Sequence, residues 1–129
     1  MTLTEKHLFK TTRLFQNQMS HIPYFENIPG ADYAIVRPEF VKVTRKNEAQ
    51  KYKSSASEAE VERVAFRGSY FELGLKVGDI TLSAKRGLDE PLVHQGEKVD
   101  VFVQRLFAIK ENKVYALENS SIREDYLVI

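Results

Sequence analysis

The chain contains 129 residues, of which 43% are hydrophobic and 29% charged, a composition typical of one globular domain and not of a disordered segment. Nineteen basic and eighteen acidic side chains leave a net charge of +1, so no overall field favours binding to a nucleic-acid backbone. The absence of cysteine excludes disulfides, thiolate metal sites and cysteine nucleophiles.

The N-terminal segment carries two competing patterns. Phe15, Met19 and Ile22 recur at helix-like spacing, whereas Thr11-Thr12 favours a strand. Pro23 interrupts either arrangement, because its ring fixes φ and removes a backbone donor. We expect an irregular or partly helical segment over residues 1–27.

From residue 31 onward, apolar residues alternate with polar ones, which predicts strands. The clearest alternation runs from Tyr70 to Val77 and resumes from Ile80 to Lys85, after the turn dipeptide Gly78-Asp79. Residues 69–85 are therefore predicted to form a hairpin. A second hairpin is predicted around Glu111-Asn112-Lys113.

Polar stretches over residues 45–57 and 87–96 are predicted to be loops, and Gly68 is predicted to break or bulge the strand before it. About seven short strands at roughly ten-residue spacing favour an all-β fold. We predict a small OB-like barrel of antiparallel strands over residues 28–129, because a domain of this size must hide its strand edges. Its core is predicted to consist of Phe71, Leu73, Leu75, Ile80, Leu82, Val99, Val101 and Val103.

The motifs of common enzymes are missing from the sequence. No Gly-Lys-Ser or Gly-Lys-Thr occurs, as a phosphate-binding loop would require, and no Gly-x-Ser-x-Gly turn could activate a serine. The three histidines, His7, His21 and His94, lack the spacing of metal ligands. We therefore predict no catalytic, cofactor-binding or metal-binding residues and no enzymatic activity for this chain.

Two charged clusters have both a functional and an ordinary explanation. Glu58, Glu60 and Glu62 would share one face of a strand, where they could hold a divalent ion or simply form a solvated face that discourages edge pairing. The solvated face is the stronger interpretation. A basic cluster around Tyr52 could bind single-stranded nucleic acid or be an ordinary soluble loop, and the small net charge favours the loop; it comprises Lys42, Arg45, Lys46, Lys51 and Lys53.

Three ordered landmarks resemble the C-terminal accessory region of ATP-binding subunits in maltose-type and ferric-iron-type ABC importers. The first is the apolar strand that ends in Arg37-Pro38-Glu39, and the second is the strand from Val61 to Gly68. The third is Gly96-Glu97-Lys98-Val99 before another strand. Over residues 28–105 the chain is thus similar to the transport-associated OB domain, called TOBE.

The resemblance implies a regulatory and interaction module. Residues 1–27 would be a linker leading out of an ATPase domain that this chain does not contain, and ATP and Mg²⁺ would bind only in that domain. The expected partners are that ATPase domain, a second copy in a homodimer and, indirectly, the permease subunits. The expected location is the cytoplasmic face of the membrane. Arg37, Pro38, Glu39, Gly68 and Gly96 become motif or interface candidates.

Two alternatives remain open beside the importer interpretation. The stretch from Leu73 to Asp79 is also similar to a stretch in molybdate-binding members of the wider superfamily. The same residues also fit the alternating polar and apolar pattern of a hairpin. A stand-alone OB-like module could bind nucleic acid or a small oxyanion such as molybdate, with Lys76 and Lys85 as anion candidates and Arg37 as a possible third cation. Nucleic acid is not expected.

Self-association follows from apolar residues near both ends of the chain. The segment with Leu8, Phe9, Leu14 and Phe15, and the C-terminal run Tyr126-Leu127-Val128-Ile129, are too apolar for free tails. A symmetric dimer would remove this surface from water.

Overall fold

The computed structural model describes residues 11–22, 25, 30–48 and 56–122. Within these ranges the chain forms nine strands and two short 3₁₀ helices. The 3₁₀ helices are η1 (Gln16–His21) and η2 (Pro38–Phe40). The strands are β1 (Thr12–Leu14), β2 (Tyr33–Val36), β3 (Val41–Arg45), β4 (Ser57–Phe66), β5 (Tyr70–Val77), β6 (Ile80–Gly87), β7 (Lys98–Val103), β8 (Arg105–Lys110) and β9 (Lys113–Glu118).

The strands form two antiparallel sheets. One has the order β1-β2-β8-β9, and the other has the order β3-β7-β4-β5-β6. The five-stranded sheet curls into a half-barrel, so that its edge strands β3 and β6 lie next to each other. The prediction of an all-β, OB-like fold is confirmed, and both predicted hairpins are present as β5–β6 and β8–β9.

The core lies inside the curled sheet. Seven of the eight predicted core residues are buried, and Phe71 is partly buried against them. Phe102 does not follow the predicted pattern. Its alternation with Val101 and Val103 predicted that its side chain lies on the opposite face of the strand, away from the core, but Phe102 is only 1% exposed. Strand β7 is central in the sheet, paired with β3 on one side and β4 on the other, and its second face is buried as well.

The N-terminal segment contributes to the same core. Strand β1 pairs with β2, and both Leu14 and Ile22 are buried. Leu14 is therefore not part of an exposed apolar patch, which corrects the expectation for that residue, whereas Phe15 is half exposed. Leu8, Phe9 and the run Tyr126–Ile129 lie outside the described residues. That residues 1–27 act as a linker from another domain stays a prediction.

A buried arginine joins the two edge strands of the curled sheet. The Arg86 side chain, on β6, is 3% exposed. Its Nη1 donates to the carbonyl of Val43 on β3 at 2.6 Å, and its Nε donates to the carbonyl of Pro91 at 2.9 Å. Its Nη2 lies 3.0 Å from the Glu48 carboxylate, and the Glu90 carboxylate lies 3.6 Å from Nη1. The guanidinium thus spans the seam between β3 and β6.

We expect Arg86→Met to lower the free energy of unfolding by about 3–5 kcal/mol, because the carbonyl groups of Val43 and Pro91 lose their side-chain donor. The Glu48 carboxylate also loses its cation and keeps only the hydrogen bond from the Arg45 N–H. Urea denaturation at neutral pH measures the change. Arg37→Ala is the matched control, since its exposed ion pair contributes no more than about 1 kcal/mol. If both variants lost the same small amount of unfolding free energy, the result would contradict a structural role for Arg86.

Candidate interaction surface

The Arg37-Pro38-Glu39 landmark forms the crossing between the two sheets. Pro38 is buried and opens η2, where a fixed φ and a missing N–H suit the first turn. The Phe40 N–H donates to the Arg37 carbonyl at 3.0 Å and closes the turn. Arg37 Nε and Glu39 Oε2 form an ion pair at 3.0 Å, with side chains 50% and 39% exposed. The pair therefore stays accessible to a partner.

The Gly96-Glu97 landmark fastens the loop before β7 to the middle of β4. The Gly96 N–H donates to the Val61 carbonyl at 2.7 Å, and the Val61 N–H donates to the Glu97 carbonyl at 2.9 Å. Gly96 has a φ of +88°, which a residue with a side chain rarely adopts. The backbone conformation therefore favours glycine at that position.

The Glu97 carboxylate holds the same loop to β3. It accepts from Arg45 Nε at 2.6 Å and from the His94 N–H at 3.1 Å. Partial burial disfavours the charged form, but these two hydrogen bonds and the nearby Arg45 charge outweigh it. The pKa of the Glu97 carboxyl is therefore lowered below its ordinary value of 4.5.

The β4–β5 turn exposes an aromatic pair. Gly68 has a φ of +92° and lies in the turn itself, so the expected irregularity at Gly68 is a turn, while the β-bulge lies earlier, between Val61 and Arg63. Beside the turn, Phe66 is 65% exposed, and its ring centroid lies 5.7 Å from that of Phe71. The pair offers exposed ring surface that a partner could cover.

The polar side of this turn is fixed by an ion pair. The alternation of β5 predicted that Glu72 faces solvent, but the residue is buried. The Arg67 side chain, which forms an ion pair with it, covers the carboxylate. Both Nε and Nη2 of Arg67 lie 2.7 Å from Glu72 Oε2. Lys85 Nζ lies 4.5 Å from the centroid of the Tyr70 ring, within the range of a cation–π contact. The turn therefore presents a rigid apolar corner with positive charge beside it.

The row of glutamates does not converge on one point. Glu58 pairs with Lys46 at 3.1 Å, Glu60 with Lys98 at 3.6 Å, and Glu62 accepts from Thr81 at 3.4 Å. The bulge after Val61 also breaks the alternation that would align them. Within the part of the chain that the structure describes, no group of three His, Asp or Glu side chains could hold a metal ion.

Two of the three described members of the basic cluster are engaged within the domain. Lys46 bonds to Asp100 at 2.7 Å, and the hydrogen bonds to Asp100 and Glu58 raise its pKa. Arg45 is held by Glu97, and Lys42 is exposed on β3. Lys51, Tyr52 and Lys53 lie outside the described residues.

The anion candidates Lys76 and Lys85 are exposed on the outer face of neighbouring strands. Lys76 lies opposite Thr81, four residues from Lys85 along β6, so their backbones are separated by roughly 13 Å. Sequence reasoning missed Arg63, which lies between them, as well as Phe66 at the turn.

Comparison with known protein families agrees with this geometry. A family model described as a TOBE domain matches residues 34–105. No curated protein matches the chain. Since the matched region covers more than half of the 129 residues, the chain belongs to the TOBE domain family. TOBE domains are non-catalytic OB-type modules found in ABC transporter or molybdate-binding contexts.

The match covers the landmarks just described, from the Arg37-Pro38-Glu39 crossing to the Gly96-Glu97 loop. Across the described residues, no helix has the length and apolar character that crossing a membrane would require.

We expect Glu97→Gln to weaken the pH dependence of stability on the acid side. The lowered folded-state pKa stabilises the fold above pH 4.5, and this contribution is lost as the pH falls through the lower folded-state value. Thermal unfolding between neutral pH and pH 3 measures it, and Arg45→Met should reduce the same dependence. If the wild type and Glu97→Gln lost the same amount of thermal stability on acidification, the Glu97 carboxylate would contribute nothing to the pH dependence of stability.

Gly96→Ala should destabilise the domain by about 1–2 kcal/mol through backbone strain alone, since open space surrounds the position of a new Cβ. Gly96→Asn should cost less, because Asn tolerates positive φ. Chemical denaturation compares the two variants. An alanine variant as stable as wild type would refute this role for Gly96.

Proposed function

We propose that this chain is the accessory domain of an ABC importer ATP-binding subunit and that it acts through contacts and not through chemistry. The TOBE family match supports this proposal, together with the positions that its landmarks occupy in the fold. Arg37-Pro38-Glu39 joins the two sheets, and Gly96-Glu97 ties β7 to β4. The landmarks resemble the accessory region of maltose-type and ferric-iron-type importers, and we propose that the chain belongs to that type.

The domain would work at the cytoplasmic face of the membrane, as part of a transporter complex. ATP and Mg²⁺ would bind in an ATPase domain of the same subunit. The accessory domain would contact that domain and a second copy of itself, and would reach the permease subunits only indirectly. A regulator or small ligand bound to it could then change ATP hydrolysis elsewhere in the complex.

The exposed Phe66–Phe71 pair is the observation that carries the interaction role. Burying a phenylalanine side chain contributes about 1.5–3 kcal/mol, and an aromatic pair contributes somewhat more. Phe66 is 65% exposed, so most of this free energy is available only when a partner covers the ring. Arg67 beside it is fixed by Glu72, which adds a positioned charge to the rim of the same contact.

Sedimentation velocity of the purified chain tests self-association. We expect a dimer at about 50 µM, with a contact that buries more than roughly 1,000 Å². Phe66→Ser should weaken the dimer roughly tenfold or more, because a symmetric contact loses the ring twice. Val114→Ser, at a similarly exposed position on β9, is the matched control.

A monomer at this concentration would contradict the homodimer. A dimer that Phe66→Ser leaves intact would contradict the assignment of the contact to the β4–β5 turn. Phe15→Ser then tests the N-terminal segment, where another aromatic side chain is half exposed.

A further inference from the structure

A small cavity lies where the N-terminal segment meets the curled sheet. Its polar lining comes from three separate parts of the chain, namely His21 at the end of η1, Ser57 at the start of β4 and Asn119 just after β9. The rest of the lining consists of five apolar side chains of the core. The cavity offers about 10 Å³ to the centre of a water molecule, which is close to the minimum that one buried water needs.

Asn119 carries a hydrogen-bond donor that the described residues leave unused. The residue is 2% exposed. Its Nδ2 donates one proton to the Val103 carbonyl at 3.0 Å, and its Oδ1 accepts from the Ser121 N–H at 3.0 Å and from Ser121 Oγ at 2.6 Å. These partners fix the orientation of the amide, because a carbonyl only accepts and a backbone N–H only donates. The second Nδ2 proton has no acceptor among the described residues, although leaving a buried donor unpaired is costly.

The other two polar groups of the cavity satisfy each other poorly. Ser57 Oγ donates to the His21 carbonyl at 3.4 Å, whereas a good O–H···O hydrogen bond spans about 2.7–2.8 Å. Interior polar groups that are not well paired directly are commonly bridged by a water molecule. Because a hydroxyl both donates and accepts, Ser57 can bond to a bridging molecule in either direction.

These three groups specify the chemistry of the molecule that fits between them. It must accept from the Asn119 N–H and donate to the His21 carbonyl, and it can do either with the Ser57 hydroxyl. A metal cation would be repelled by the N–H donor, and an anion by the carbonyl oxygen. Water both donates and accepts, it matches the size of the cavity, and three hydrogen bonds are typical of a buried water.

We propose that the cavity is a binding site for a single structural water molecule. The water accepts from Asn119 Nδ2 and donates to the His21 carbonyl, with Ser57 Oγ as its third partner. It thereby joins η1 to the barrel at a place where, among the described residues, no backbone hydrogen bond does so. The N-terminal segment and the residue after β9 are then fastened to the start of β4 through one molecule. This proposal does not depend on the domain belonging to a transporter.

A high-resolution crystal structure of the full chain tests the proposal. We expect a water within about 3.2 Å of Asn119 Nδ2 and of at least one of the other two groups, Ser57 Oγ and the His21 carbonyl. In solution, the isotope-labelled chain should show a cross-peak between water and the Asn119 side-chain amide protons in a rotating-frame Overhauser spectrum. Ser121→Ala should keep this cross-peak, which excludes magnetisation relayed from the nearby Ser121 hydroxyl.

Ser57→Val tests whether the water contributes to stability. The valine side chain fills part of the cavity and removes one partner of the water, so that the Asn119 donor loses its acceptor. We expect a lower urea midpoint and the loss of the cross-peak. The matched control, Ser83→Val, replaces a serine of β6 that does not line the cavity and should keep both.

Three results would overturn the proposal. The first is a crystal structure in which no water bonds to two of the three groups, and the second is a cross-peak that Ser121→Ala abolishes. The third is a urea midpoint of Ser57→Val equal to that of the wild type, because displacing a well-bonded water removes hydrogen bonds that valine cannot replace. The crystal structure and the spectrum of the wild type need no variant, so a folding defect in Ser57→Val leaves the test decisive.

Discussion

The hydrogen bonds of Arg86 close the curled sheet. Strands β3 and β6 share no backbone ladder in the described residues, so a side chain must satisfy the carbonyl of Val43 at the seam. A guanidinium has five donors in a fixed plane, which allows it to bond two carbonyls and a carboxylate at once. Burying it without these partners would cost several kcal/mol, so the seam is stable only while the loop with Pro91 and the end of β3 are both in place.

One row of residues across the sheet connects the seam to the candidate interaction surface. Arg86 pairs in register with Phe71, and Phe71 pairs with Phe66 across β4 and β5. The row thus runs from a buried cation, through a partly buried ring, to an exposed ring at the corner of the sheet. A partner that covered Phe66, as proposed, would contact one end of a cross-strand row whose other end is held by the hydrogen bonds of Arg86.

Sequence alternation predicted the hairpins because their strands have one buried face and a glycine-containing or tight turn between them. It could not predict that Arg86 and Glu72 are buried, because their partners come from distant or irregular positions. The burial of Phe102 was missed for a related reason, since a central strand can be covered on both faces. Charged residues within an alternating strand are ordinarily assigned to solvent.

The candidate site was only partly visible in the sequence. Gly68, Gly96 and the Arg37-Pro38-Glu39 turn could be singled out as landmarks, because glycine and proline mark special backbone geometry. Arg63 could not be singled out from the sequence, because the bulge after Val61 reverses the side of β4 that each later residue faces. Strict alternation from Val61 would have put Arg63 inside and Val64 outside. The spacing of Val61, Val64 and Phe66 was the one available signal of that reversal.

The DNA sequence flanking this coding region tests the placement in an importer most directly. We expect a phosphate-binding loop of the type Gly-x-x-x-x-Gly-Lys-Ser/Thr in the same reading frame or in an adjoining gene, with a permease gene nearby. A gene neighbourhood that encodes neither an ATP-binding subunit nor a permease would contradict the proposed role.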